Sequence, residues 1–346
     1  MTIPIAILGA TGYGGGELLR LFLRRKDVAI RHATSRTEAG KHVSSAHRNL
    51  DGLTDLRFSA PTEAELLRDC EVVFSALPHT ASAKALAPFI AAGKRVVDLS
   101  GDFRLRTADA YHEAYSHTHP HPELLADAVY GLPELHRERI RGARVLASPG
   151  CFATAIELAL LPAARAGVLG NRLSVVAMTG SSGSGAEATR GTHHPTRDQT
   201  LRPYKVDGHQ HCNEIVQTLG EAAGSPTPFR LTFTPVSAPL VRGILAIATA
   251  PLARDLSATE LETIYEEAYA GEPFIKLVRD REPEPGPVNG TNYAEVRARL
   301  SRHGELIAMC AIDNLVKGGA GQAVQSFNIM MGLPETEGLD WPGTWP

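Results

Sequence analysis

The amino-acid sequence predicts an α/β protein with two parts: a Rossmann-type, doubly wound domain, then an α+β domain built on a large mixed sheet. Three observations carry this reading. Strands and helices alternate through the first third, as they do around a parallel sheet. A glycine-rich turn joins the first strand to the first helix. Beyond Cys151 the pattern shifts to long, partly alternating strands with few helices between them.

In chain order, "IPIAILG" reads as a buried strand, followed by a helix from Tyr13 to Arg25 and the strand "VAIRHAT". The strand "EVVFSAL", the helix "TASAKALAPFIAAG" and the strand "KRVVDLS" continue the alternation, and "ARVLAS" closes it. The second part takes its strands from "RLSVVAMTG", "FRLTFTPV", "RGILAIATA", "NYAEVRARL" and "ELIAMCAID". Its helices are "CNEIVQTLGEA" and "SATELETIYEEAYA", and "REPEPGPVNG" reads as a surface loop. The expected boundaries are 1–149 and 150–313, with a final helix at about 314–332 packing back on the first domain.

The chain has 346 residues, 43% hydrophobic and 21% charged, enough to bury two cores. A formal net charge of -3 gives no global attraction for nucleic acid or an acidic membrane surface. The four cysteines, Cys70, Cys151, Cys212 and Cys310, include no C-x-x-C pair, so neither a disulfide framework nor a structural zinc site is expected. Free thiols and no membrane-length apolar run make a cytosolic protein the expectation.

The turn "GATGYGGG" places Gly9, Gly12 and Gly15 in a G-x-x-G-x-x-G series, where absent side chains let a pyrophosphate approach backbone amides at a helix N-terminus. The second strand ends in "ATSRTE", with Ser35 and Arg36 where an NAD-binding protein usually carries an acid. Arg36 suits a 2'-phosphate, so NADP is the expected nucleotide; otherwise Arg36 is a solvated loop residue and Glu38 does the selecting.

"ASPGCFATAIELALLP" sets Cys151 behind a Pro-Gly turn at the head of an apolar helix. Free amides and the positive end of the helix favour a thiolate there. An isolated cysteine is most often a small buried hydrophobe, but this one follows the last Rossmann-type strand, where strand ends meet ligand. A thiolate beside a nicotinamide indicates acyl capture as a thioester followed by hydride transfer. The proton shuttle is sought in "KVDGHQHCNEI", whose His209 and His211 form H-x-H ahead of a helix. H-x-H is also a metal pattern, but no third ligand stands at useful spacing, and no metal is expected. An NADP-sensing module would leave the Cys151 and H-x-H pairing without purpose, and a cysteine hydrolase would leave the glycine turn and Arg36 unexplained.

These segments, with "SALPH", "VDLSGDFRL", "GSSGSGA", "VRGIL", "GTNYAEV" and "IDNLVKGGAGQAVQSFNIMMGLPETEGLD", resemble the N-acetyl-γ-glutamyl-phosphate reductase family, a branch of the semialdehyde dehydrogenases. The resemblance implies NADPH-dependent, phosphate-releasing reduction of an acyl phosphate to an aldehyde by a cytosolic homodimer or homotetramer. It implies Cys151 as nucleophile and the H-x-H as acid/base, His211 ahead of His209. Thr11, Gly12, Tyr13 and Gly14 match the pyrophosphate loop; Ser35, Arg36 and Thr37 match the 2'-phosphate site. Asn314 matches the group holding the nicotinamide amide, with Ser182 and Gly183 lining that pocket. Arg104, Arg242 and Lys205 are candidates for the substrate's phosphate or carboxylate.

Ala153, His193, His194, Arg197 and the ending "GLDWPG" resemble the lysine-pathway branch, whose substrate is L-2-aminoadipate 6-phosphate on a small acidic amino-group carrier protein; the alternative is the arginine-pathway branch, acting on N-acetyl-γ-glutamyl phosphate, or one enzyme serving both. Between 190 and 205 stand Arg190, Arg197, Arg202 and Lys205, a basic stretch suited to steering an acidic carrier.

Overall fold

The computed structural model describes residues 2–224 and 228–344. The chain forms two compact units: 1–149 with 319–341, and 150–318 with 342–346.

In the first unit β1 (Ile3–Leu8), α1 (Tyr13–Phe22), β2 (Val28–Thr34), β3 (Phe58–Ser59), α2 (Glu63–Asp69) and β4 (Val72–Ser75) are followed by α3 (Ser82–Ala91) and β5 (Arg95–Asp98). Then come α4 (Ala108–Tyr115), β6 (Ala128–Tyr130), α5 (Pro133–Arg141) and β7 (Val145–Ala147). The seven strands are all parallel, in the order β3-β2-β1-β4-β5-β7-β6. The chain steps outward from β1 and then returns to β4 on the other side of β1, which opens a crevice at the carboxyl ends of these two strands. Val72, Val73 and Phe74 are fully buried, as the central strand of a covered sheet requires.

In the second unit α6 (Cys151–Arg165) precedes β8 (Arg172–Thr179), α7 (His194–Arg197), β9 (Arg202–Pro203), α8 (His211–Ala223) and β10 (Arg230–Ser237). β11 (Ile244–Ala250), α9 (Ala258–Ala268), β12 (Ile275–Leu277), β13 (Ala294–Leu300) and β14 (Leu306–Ile312) complete it. The sheet is mixed, ordered β12-β13-β14-β11-β8-β10-β9, with β8 parallel to β10 and antiparallel to β11. α6 is buried from Phe152 to Ala164, so its alanine-rich run is the helical side of this core. The Tyr265 hydroxyl of α9 donates to the Ala159 carbonyl of α6 at 2.7 Å. β8 alternates, with Leu173, Val175 and Ala177 inward and Arg172, Ser174 and Val176 outward.

The final helix, α10 (Gly321–Met330), lies in the first unit, where Phe327 meets Phe22 and Phe74 at ring-centroid distances of 5.6 and 5.4 Å. The residues before it, through Gly318, belong to the second unit, and a wide turn over Val316–Ala320 joins the two stretches. Among the described residues no helix is long and apolar enough to cross a membrane.

Candidate active site

The carboxyl ends of β1 and β2 open into a cavity of about 800 Å³ lined by Gly9, Thr11, Ser35, Arg36, Thr37, Ser59, Glu63 and Lys84, among others. Gly9 has φ +72°, and a Cβ on it would stand 2.8 Å from the Ala76 carbonyl oxygen, so only glycine makes the turn. Gly12 caps α1 without a side chain, leaving the helix amides open to an anion. Ser35 accepts the Glu38 amide at 3.1 Å, which shapes the loop presenting Arg36. Glu38 pairs with Lys41 at 2.9 Å. Arg36 is exposed, and neither it nor Lys84 makes an ion pair among the described residues. The cavity wall therefore carries two cations, which fits a dinucleotide bearing an extra phosphate.

In the second unit, Cys151 is the first residue of α6 and is half-buried. Both of its chain neighbours touch one group of side chains. The Gly150 amide donates to Glu214 Oε2 at 3.1 Å, and a Cβ on Gly150 would collide with His211 Nε2 and stand 2.6 Å from Glu214 Oε1. The Phe152 ring lies edge-on to His209 and His211, with centroids 5.4 and 6.2 Å away. Glu214 sits one helical turn beyond His211, and its Oε1 is 3.8 Å from His211 Nε2. His209 Nδ1 accepts the His211 backbone N–H at 3.2 Å, capping the start of α8. A Cβ on Gly318 would lie 2.9 Å from the Cys151 Cβ, so the turn before α10 presses directly against the thiol-bearing residue.

Tyr204 completes this surrounding. Burial, then the nearby Cys151 sulfur, push its phenol well above the ordinary range. The remaining thiols differ in setting: burial lifts Cys70 to about 11 and raises Cys212, and Cys310 is enclosed in β14.

Asn314 donates from Nδ2 to Ser182 Oγ at 3.0 Å and accepts the Gly243 amide on Oδ1 at 2.8 Å. A Cβ on Gly183 would come 3.6 Å from Asn314 Nδ2, which brings Asn314, Ser182 and Gly183 together. Arg242 Nη1 stands 3.3 Å from Asp313 Oδ2, so the anion it meets in the structure is an internal carboxylate. Arg104, in the first unit, is buried and donates to the Ser148 and Leu99 carbonyls at 2.8 and 3.0 Å, which braces the loop after β5. Lys205 is exposed and donates to Gln210 Oε1 at 2.9 Å.

The basic stretch divides. Arg190, Arg202 and Lys205 are exposed, as are Leu201 and Val206. Arg197 is only 9% exposed and is removed from any docking surface. Its guanidinium turns inward to Ser237 Oγ and to the Thr179 and Ala238 carbonyls. The sequence pattern does not single out Glu214, Tyr204 or Lys84; of these, only Glu214 has a visible signal, its i,i+3 spacing from His211.

Residues 4–143 match the semialdehyde dehydrogenase NAD-binding domain, and residues 151–314 match the semialdehyde dehydrogenase dimerisation domain. A Thermomicrobium roseum protein under the provisional name LysW-L-2-aminoadipate 6-phosphate reductase is 45% identical over 357 residues, covering 100% of both chains. A Methanopyrus kandleri protein named N-acetyl-gamma-glutamyl-phosphate reductase is 42% identical over 347 residues, 99% of this chain and 100% of that one. The crystal structure of aspartate semialdehyde dehydrogenase II from Vibrio cholerae shares the fold, with a TM-score of 0.72 over 96% of this chain and 99% of that one at 20% identity. With a dinucleotide-binding first unit and full-length likeness to both groups of reductases, the chain belongs to the N-acetyl-γ-glutamyl-phosphate reductase family of the semialdehyde dehydrogenases and is an oxidoreductase.

Proposed function

We propose that this chain is an NADPH-dependent acyl-phosphate reductase acting on L-2-aminoadipate 6-phosphate carried by a small acidic protein. The observation that carries the chemistry is the group formed by Cys151, Gly150, His211 and Glu214. The Cys151 thiolate attacks the acyl carbon; the C–S bond forms as the C–O bond to phosphate breaks, and inorganic phosphate leaves with that electron pair. NADPH, when bound, supplies the hydride that reduces the resulting thioester. His211 gives a proton to the oxygen that gains charge, and recovers it as the aldehyde forms and the thiolate is released. Glu214 opposes the positive charge while His211 holds the proton. His209, committed through Nδ1 to the His211 amide, acts as the cap of α8 and leaves the shuttle to its neighbour.

Ser35, Arg36, Thr37 and Lys84 are assigned to the adenosine 2'-phosphate, and Thr11 to Gly14 to the pyrophosphate. Asn314, which has one Nδ2 hydrogen beyond that given to Ser182, is assigned to the nicotinamide carboxamide, beside Ser182 and Gly183. The outward face of β8, with Val176 at 42% exposure, is assigned to a second copy of the chain, consistent with the dimerisation domain matched there. Arg190, Arg202 and Lys205, with the exposed Leu201 and Val206 between and beyond them, are assigned to the carrier.

The test compares NADPH oxidation with carrier-bound aminoadipyl phosphate and with free N-acetyl-γ-glutamyl phosphate. The carrier-bound substrate should turn over with the higher kcat/KM, and added salt should lower that value by screening exposed charges over a Debye length of about 8 to 10 Å. Efficient use of the free N-acetyl substrate alone would move the protein to the substrate named for the Methanopyrus kandleri relative.

A further inference from the structure

His47 stands 37 positions beyond the glycine-rich turn that it touches. The excursion between β2 and β3 carries it there, with its own amide donating to the Val43 carbonyl at 3.0 Å and the buried Val43 and Leu50 anchoring the segment. The imidazole is 8% exposed and lies edge-on to Phe58 of β3, with centroids 6.2 Å apart. Its Nε2 donates to the Ala10 carbonyl at 2.7 Å; a carbonyl only accepts, so Nε2 carries the hydrogen. The same ring presses on the first turn of α1, where a Cβ on Gly16 would stand 2.5 Å from Nδ1 and from Cε1. The turn is held from β2 as well: the Ala10 amide donates to the Thr34 carbonyl at 3.0 Å, and the Gly9 amide to Thr34 Oγ1 at 3.4 Å. A trans peptide sets the carbonyl of one residue opposite the N–H of the next. With the Ala10 carbonyl on His47, the Thr11 N–H faces away from the imidazole. That N–H meets no acceptor among the described residues, and Thr11 lines the nucleotide cavity.

We propose that His47 is a positioning residue for the cofactor: by holding the Ala10 carbonyl it aims the Thr11 amide at the pyrophosphate of NADP. This rests on the reading of Thr11 to Gly14 as the pyrophosphate loop. An N–H···O bond weakens steeply as its angle leaves the straight line, so an amide held in line before the nucleotide arrives binds it more tightly than one free to rock. Thr34 fixes the peptide between Gly9 and Ala10, and His47 fixes the next one, between Ala10 and Thr11. Hydrogen bonding at the Ala10 oxygen also polarises that peptide, which strengthens the Thr11 N–H as a donor. Gly16 has the matching requirement, because only a residue without a side chain leaves the imidazole its place against the turn. If His47 only filled the core, nucleotide binding would not depend on its N–H.

The probes are NADPH, followed by its nicotinamide fluorescence, and 2'-AMP as a competitor, which keeps the adenosine 2'-phosphate and lacks the pyrophosphate. His47→Leu removes the donor and should raise the NADPH dissociation constant roughly 10-fold while leaving the 2'-AMP constant unchanged. His47→Gln, whose side-chain amide can offer an N–H in place of Nε2, should restore most of the affinity; a His47→Gln variant as weak as His47→Leu counts against the hydrogen bond. Gly16→Ala drives a methyl group into the imidazole and should show the His47→Leu pattern with the histidine still present, which decides the matter if His47→Leu does not fold by circular dichroism. Equal weakening of NADPH and 2'-AMP in the folded variants, or a folded His47→Leu that binds NADPH as wild type does, overturns the assignment. The loop reading is tested apart from it by Gly12→Val. A Cβ on Gly12 would meet the Gly9 carbonyl oxygen at 3.7 Å, an ordinary contact, so the added side chain crowds the bound nucleotide. This variant should also weaken NADPH and spare 2'-AMP; equal effects on both ligands, or none, would overturn the pyrophosphate loop and the role of His47 with it.

Discussion

Glu214 Oε2 accepts the backbone amide of Gly150 at 3.1 Å, tying α8 to the turn that presents Cys151, while its Oε1 lies 3.8 Å from His211 Nε2. One buried carboxylate thus fixes the approach to the nucleophile and faces the imidazole beside it. Glu214→Gln retains an acceptor for Gly150 and removes the charge. It should lower kcat by roughly 10-fold or more with little change in NADP affinity, because a carboxylate that orients and balances a catalytic imidazole acts on the proton transfer. Glu214→Ala leaves the Gly150 amide buried without its partner and should also lower the melting temperature. Equal activity of Glu214→Gln and wild type in steady-state assays would refute a catalytic use of that charge.

The two histidines separate by the same logic. His211→Asn should slow turnover by roughly 10²- to 10⁴-fold, the range for a positioned proton carrier. His209→Asn removes the imidazole that caps the His211 amide, and should mainly reduce thermal stability, by about 1 kcal/mol. Single-turnover rates and thermal melts on both variants would reverse the assignment if His209→Asn proved the crippling change.

For the cofactor, Arg36→Asp should weaken NADP binding by about 1.5 to 3 kcal/mol or more, with a far smaller effect on NAD. Lys84→Ala should act in the same direction and more weakly, since a lysine serves as a point charge where arginine forms a fork. Fluorescence titrations with both nucleotides check this; parallel losses for NADP and NAD would remove both residues from the 2'-phosphate site.

Asp98, at the end of β5, is fully buried and accepts hydroxyl hydrogen bonds from Ser82 at 2.5 Å and Ser100 at 2.7 Å. Burial raises its pKa to about 6. Since this lies above the ordinary aspartate value of 3.8, the native state favours the protonated carboxyl, and stability falls as pH rises from about 4 through 6. The span corresponds to roughly 3 kcal/mol at most. Asp98→Asn should flatten that part of the stability curve in urea melts from pH 4 to 7; an unchanged slope would assign it to other groups.

What the sequence conveys follows from how each signal is encoded. The glycine turn, the long alternating strands and the thiol behind Pro-Gly are local patterns, and each appears where the periodicity and turn chemistry place it. β3 and β9 have two residues each and β12 three, too few to show a period. Arg197 stands in a four-residue helix within a polar stretch, so its local pattern reads as solvated, and only folding against Ser237 and Ala238 buries it. The tie from Glu214 to Gly150 spans 64 positions and has no local signature. Lys84 reaches the nucleotide cavity only because the parallel sheet sets the start of α3 beside the loop after β2.

Covalent capture of the acyl group by Cys151 is tested most directly by a measurement that leaves NADPH out. Enzyme mixed with acyl phosphate should release close to one phosphate per active chain in a rapid burst, and the peptide containing Cys151 should gain the mass of the acyl group. Cys151→Ser should show neither the burst nor the mass change while still binding NADP. A burst of equal size in Cys151→Ser, or acylation found only on another residue, would contradict capture by this thiol.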